Sequence, residues 1–135
     1  TACDIVIAHE DARFGYPEIA RGFVPAMVMT MLRRIAGEKR AFELVSTGRV
    51  VSADEALDIG LASRVVDDDA IEAEVTALLA LLVSQSATAF ALTKRLFLEL
   101  ERRDFHEGIV VSARVNALAR TTPEFRAAVA RFLGR

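Results

Sequence analysis

The sequence predicts an α/β chain that is mostly helix: one strand, a structured loop, then a long helical tract. Three observations carry that reading. A β-branched apolar run opens the chain, a stretch rich in proline and glycine follows it without a clean period, and apolar residues recur at helical spacing from Asp67 almost to the end.

The run CDIVIA, residues 3–8, is bounded by polar residues and has the pattern of a strand buried on both faces. It opens so close to Thr1 that its sheet neighbours are expected from elsewhere. HEDARFGYPEIARGF, residues 9–23, reads as a long ordered loop. Pro25 then offers a first helical position for AMVMTMLRRIA, which stops at Gly37. A second helix, EKRAFELVST, ends at Gly48, and GRVV is a short extended link. Ser52 and Glu55 match a capping box and open a short helix, ADEALDI, before Gly60. LASRVV, residues 61–66, reads as a second short strand or extended segment. AIEAEVTALLALLVSQ places Ile71, Val75, Leu78, Leu79 and Leu82 on one stripe, with acids in its first turn. TAFALTKRLFLELERR and FHEGIVVSARVNALAR continue that period. TPEFRAAVARFL closes the chain with Thr122 as N-cap and Pro123 at the first helical position.

Composition narrows the function classes. A chain of 135 residues is most simply one domain. An apolar fraction of 53% is high for a small soluble protein, so some of that surface is expected to pack against another polypeptide, in an oligomer or a larger protein. The 17 basic and 19 acidic residues are scattered and form no basic block, which argues against nucleic acid as a partner. Cys3 is the single cysteine, and no His/Cys cluster has metal-ligand spacing; no metal is expected, and a reducing, cytoplasmic compartment fits. The most apolar run, residues 77–83, is far shorter than the roughly 20 residues of a membrane span, and no signal-peptide pattern opens the chain. No membrane partner is expected.

One carboxylate stands out. Glu18 follows Pro17 in FGYPEIARGFVPAM, where Pro17 fixes its own φ, Gly15 and Gly22 permit close backbone approach, and Phe14, Ile19 and Phe23 are placed to wall off water. Desolvation of that kind disfavours the charged form of a carboxyl group, which makes Glu18 a candidate general acid. The competing reading is an ordinary helix start with glutamate against the dipole. The chain carries its own comparison: Pro123-Glu124 leads a clean amphipathic helix behind an N-cap, whereas Pro17-Glu18 reaches a glycine within about one turn. His9 and His106 lack ligand spacing, residues 67–69 read as a solvated acidic cap, and Arg33, Arg34, Lys39 and Arg40 read as a solvated helix end.

In order and spacing, CDIVIA, FGYPE, LRRIAG, AFELVSTG and ADEALDIGL together resemble the enoyl-CoA hydratase/isomerase (crotonase) family, over residues 1–66 without a gap. The resemblance implies a superhelix of ββα turns followed by helices that assemble trimers or hexamers. Residues 1–66 would be the C-terminal part of the crotonase-like core, and residues 67–135 a helical oligomerisation region. In the hydratases two glutamates hold one water, which adds across the double bond of a trans-2-enoyl-CoA in fatty-acid or related metabolism. The motif places one of them on Glu18, giving or taking the proton beside the thioester, where a developing enolate needs stabilised charge on oxygen. Phe14, Pro17, Phe23 and Met27 are then expected at the substrate. Lys94 and Arg95 are expected at the phosphates of coenzyme A, which is part of the substrate; no separate cofactor is implied.

Two departures follow. The family's second glutamate and its two oxyanion-hole N–H groups lie upstream of the CDI strand. A single oxyanion donor contributes about 2.7–4 kcal/mol, so these 135 residues alone are expected to be nearly inert and to be the C-terminal portion of a longer enzyme, or a chain whose upstream part is present but separate. Also, PAMVM at residues 25–29 stands where relatives often carry a glycine-rich turn, so the pocket should be reshaped. The alternatives are a Δ3-Δ2 enoyl-CoA isomerase and a non-catalytic helical assembly module.

Overall fold

The computed structural model describes residues 1–134. In chain order the elements are β1 (Ile7–His9), β2 (Arg13–Gly15), a 3-10 turn (Pro17–Arg21), α1 (Ala26–Ala36), α2 (Glu38–Thr47), β3 (Val50–Ser52), α3 (Ala53–Asp58) and β4 (Arg64–Val66). A second 3-10 turn (Asp68–Ala70) leads into α4 (Ile71–Val83), α5 (Ala87–Leu100), α6 (Phe105–Ala119) and α7 (Pro123–Phe132). The chain divides into two compact units, Thr1–Ala77 and a helical unit that begins at Leu78.

In the first unit β1 runs parallel to β4, with Ala8 opposite Val65, and β2 runs antiparallel to β3, with Phe14 opposite Val51. The strand expected at residues 3–8 is therefore shorter and later. Val6 stands just before it: its carbonyl accepts the amides of Ser63 (2.8 Å) and Arg64 (3.2 Å), and its N–H donates to Ser63 Oγ at 3.1 Å. The bond from the Arg64 amide is the first rung of the β1–β4 ladder, while the two to Ser63 hold Val6 beside the residue that precedes β4. The sheet neighbour expected from elsewhere is in part β4 itself. Nor is the stretch 9–23 a plain loop, since it holds β2 and the 3-10 turn; three-residue elements are too short to show a period.

Among the described residues, every buried apolar side chain lies between Ala8 and Ala62. Leu32 of α1, Leu44 of α2 and Val51 of β3 are fully buried, and alanines 41, 53 and 56 let the surrounding backbones approach. The helix ends follow the punctuation of the sequence. Gly48 closes α2 in the left-handed region (φ 64°), Ser52 Oγ accepts the Glu55 amide at 3.2 Å, and Thr122 Oγ1 accepts that of Phe125 at 3.3 Å. Pro25 is the N-cap of α1, one place before its expected position. The stripe expected on α4 is not buried, with Leu79 55% exposed. Ala73, Ala77, Ala80, Leu81 and Val83 fill the spaces between its members, so α4 is apolar nearly all round.

Candidate active site

The turn that carries Glu18 is built from backbone restraint. Tyr16 enters it with a backbone that is neither helical nor extended (φ −129°, ψ 75°), and Pro17 holds the first helical position, where its missing N–H costs nothing. Gly22, at φ 75°, closes the turn: its amide donates to the Ile19 carbonyl at 3.1 Å, and that of Phe23 to the Glu18 carbonyl at 3.0 Å. A left-handed residue is needed there because the chain must reverse within one short turn. Tyr16 anchors the entry; the residue is 8% exposed and its hydroxyl lies 2.6 Å from Thr1 Oγ1.

The turn rests on residues 48–50. A Cβ built on Gly48 would stand 3.6 Å from Pro17 Cα and from the Tyr16 carbonyl oxygen, and 3.7 Å from Ile19 Cγ2. On the other side Gly15 pairs with Val50 so closely that a Cβ on Gly15 would stand 3.2 Å from Val50 Cγ2. Between these contacts Arg49 turns its guanidinium away to two acids. It donates to Glu43 Oε1 of α2 at 2.7 Å and, in a fork, to Glu55 Oε1 (2.6 Å) and Oε2 (3.0 Å) of α3. These hydrogen bonds, Glu55's first, push the Arg49 pKa up, and the same fork holds the Glu55 carboxyl below the ordinary glutamate range.

Within this frame Glu18 Oε2 is shielded from water and has no hydrogen-bond partner. A buried, unpartnered polar atom costs on the order of 1–3 kcal/mol; His9 Nε2 is the other such atom among the described residues. The shelter is not the apolar wall expected from the sequence: Phe14 is half-buried, Phe23 is 66% and Met27 84% exposed, and Pro17 and Ile19 are also exposed. Phe14, Pro17, Glu18, Phe23 and Met27 share the first unit, whereas Lys94 (half-buried) and Arg95 (exposed) stand on α5 in the second. Two open hollows of about 420 and 390 Å³ lie over α1 and α2, lined by Met29, Arg33, Glu38 and their neighbours; Glu18 lines neither.

Sequence reading missed Arg49, and it used Glu55 only as half of a capping box. The available signal was symmetry, with Glu43 and Glu55 each six residues from Arg49. His9 has more company than its sequence neighbours indicate. Its Nδ1 accepts the Asp11 amide at 3.0 Å, and Nε2 lies 3.3 Å from Asp68 Oδ1, at ion-pair distance but without hydrogen-bond alignment. Among the described residues no group of three His, Cys, Asp or Glu side chains has the arrangement of a metal site.

Comparison with known proteins places this geometry. A Thermus thermophilus protein named as an enoyl-CoA hydratase is 37% identical over 97% of this chain, which spans 52% of that relative. The crystal structure of an enoyl-CoA hydratase from Mycobacterium smegmatis superposes with a TM-score of 0.94 at 32% identity, covering 98% of this chain and 51% of that one. A Thermobifida fusca protein of the same name, in complex with acetoacetyl-CoA, superposes at 0.82 with 38% identity, over 87% of this chain and 46% of that one. The chain thus spans about half the length of these relatives, and its architecture is the corresponding part of the crotonase fold. The family model described as enoyl-CoA hydratase/isomerase matches residues 1–135, and the chain belongs to that family.

Proposed function

We propose that the protein containing this chain hydrates the double bond of a trans-2-enoyl-CoA, with Glu18 giving or taking the proton at the carbon next to the thioester. The observation that carries this reading is the sheltered, unpartnered Oε2 of Glu18 on a turn fixed at both ends. An acid held there has its acceptor or donor capacity unspent, as a proton carrier requires. Hydration places hydroxyl on the far carbon of the double bond and hydrogen on the near one, through negative charge on the thioester oxygen. Protonation at the near carbon is the step assigned to Glu18.

Phe14, Pro17, Phe23 and Met27 surround Glu18 in sequence and are proposed to meet the acyl group. The exposure of Phe23 and Met27 leaves them free for such contact. Lys94 and Arg95 are proposed at the phosphates of coenzyme A, where a cation pairs with anionic oxygen. The acetoacetyl-CoA complex of the Thermobifida fusca relative supports an acyl-CoA as substrate. A cytoplasmic location goes with this reading.

The test is Glu18→Gln in the full-length protein, assayed with crotonyl-CoA. Turnover should fall by roughly 10²–10⁴-fold, the usual contribution of a positioned proton-transfer group. Near-normal turnover would remove Glu18 from the chemistry. Product analysis separates the readings, since hydration yields a 3-hydroxyacyl thioester and an isomerase a shifted double bond.

A further inference from the structure

The geometry points to Arg49 as a positioning residue for Glu18: by clamping α2 to α3 it fixes the residue 48–50 floor on which the Pro17–Arg21 turn sits. This inference rests on the proton-transfer reading of Glu18. Its mechanical part rests on contacts alone.

Residues 48, 49 and 50 have divided tasks. Gly48 faces the turn, so that a Cβ on it would stand 3.6–3.7 Å from Tyr16, Pro17 and Ile19, while Val50 pairs with Gly15, two residues before the proline. Between them Arg49 contributes its carbonyl oxygen, 3.7 Å from a Cβ built on Gly15, while its side chain points elsewhere and reaches Glu43 on the helix before it and Glu55 on the helix after it. The Thr47 hydroxyl accepts the Arg49 amide at 3.3 Å, so the backbone is held as well. Neither neighbour can shift without opening the clamp. A swing of α2 would carry Gly48 off Pro17, and a swing of α3 would pull β3 off β2. The planar fork of arginine suits this role because two parallel N–H···O bonds to Glu55 fix orientation as well as distance, which a lysine ammonium would not do.

Glu18 itself makes no side-chain hydrogen bond through Oε2, so its placement depends on the turn beneath it. Displacement of about 1 Å at a reacting group costs on the order of 10²-fold in rate. Loosening the floor should therefore act on the chemical step and leave substrate affinity nearly unchanged.

The experiment uses the full-length protein with Arg49→Gln, Arg49→Lys and Glu55→Gln. Crotonyl-CoA kinetics and amide hydrogen exchange are measured on each. Arg49→Gln should lower kcat on the order of 10- to 100-fold with KM within about twofold, and Arg49→Lys, which keeps charge but not the fork, should fall between it and wild type. Exchange at the Gly22 and Phe23 amides should quicken in Arg49→Gln and Glu55→Gln while the α1 and α2 amides stay protected. Wild-type kcat in all three variants overturns the proposal. So does a loss of kcat that appears only where protection is lost throughout the first unit, and Glu55→Gln covers the case in which Arg49→Gln does not fold. If Glu18→Gln retains turnover while turn exchange still quickens in the clamp variants, the catalytic reading of Glu18 fails and the clamp survives as mechanics.

Discussion

Glu18 and Glu124 follow prolines at the starts of helical turns, and their surroundings separate them. Glu124 Oε1 accepts from the Thr88 hydroxyl at 3.1 Å, on an exposed surface, whereas Glu18 Oε2 is sheltered and has no partner. A group held for structure gains from having its hydrogen bonds filled, and a buried group without them carries a cost. Glu18→Gln should therefore leave the unfolding free energy within about 1 kcal/mol of wild type, or raise it, even as turnover collapses. Urea unfolding of both proteins measures this, and a loss of about 3 kcal/mol would mark Glu18 as a structural acid. The sequence made this residue legible because Pro17, Gly15 and Gly22 are local signals. The walls around it were not legible, since the exposure of Ile19, Phe23 and Met27 depends on which distant surfaces meet them.

Helix limits in the first unit were readable where one residue decides them, as at Gly37, Gly48 and Ser52. Strand limits were not, because β1 and β4 are defined by each other across more than fifty residues of chain. The clamp was hidden for a related reason. Glu43, Arg49 and Glu55 are spaced by six, which no helix face brings together, and they meet only because Gly48 reverses the chain and Ser52 restarts it as α3. The clamp also makes a pH prediction. The Glu55 carboxyl is held below its ordinary range by the Arg49 hydrogen bonds, so the folded state binds that proton less readily than the unfolded chain. Its stabilisation is fully present above the ordinary glutamate range and is lost as pH falls through the lowered folded-state value. Urea midpoints of wild type and Glu55→Gln should thus differ at neutral pH and converge in acid. A gap that stays constant into acid would show that the carboxylate is not the source.

At the scale of the whole molecule the two units are built differently. Buried apolar side chains run from Ala8 to Ala62, and none follows in the described residues beyond Leu78. There the one buried residue is Gly108, where a Cβ would stand 3.2 Å from Leu100 Cδ2, while Phe97, Phe105, Ile109, Leu118 and Phe132 are exposed. Helices with so much uncovered apolar surface are stable when something covers them. Fully burying a large apolar side chain gains about 1.5–3 kcal/mol, so enclosing five or six of them rivals the roughly 4–15 kcal/mol that association costs. Further copies of the protein are the cover proposed here, in a trimer or a hexamer. Light scattering on the full-length protein at micromolar concentration should give three or six times the protomer mass, and Phe97→Asp should lower it. A monomer mass that persists as concentration rises would assign the cover to the rest of the same chain and remove the oligomer.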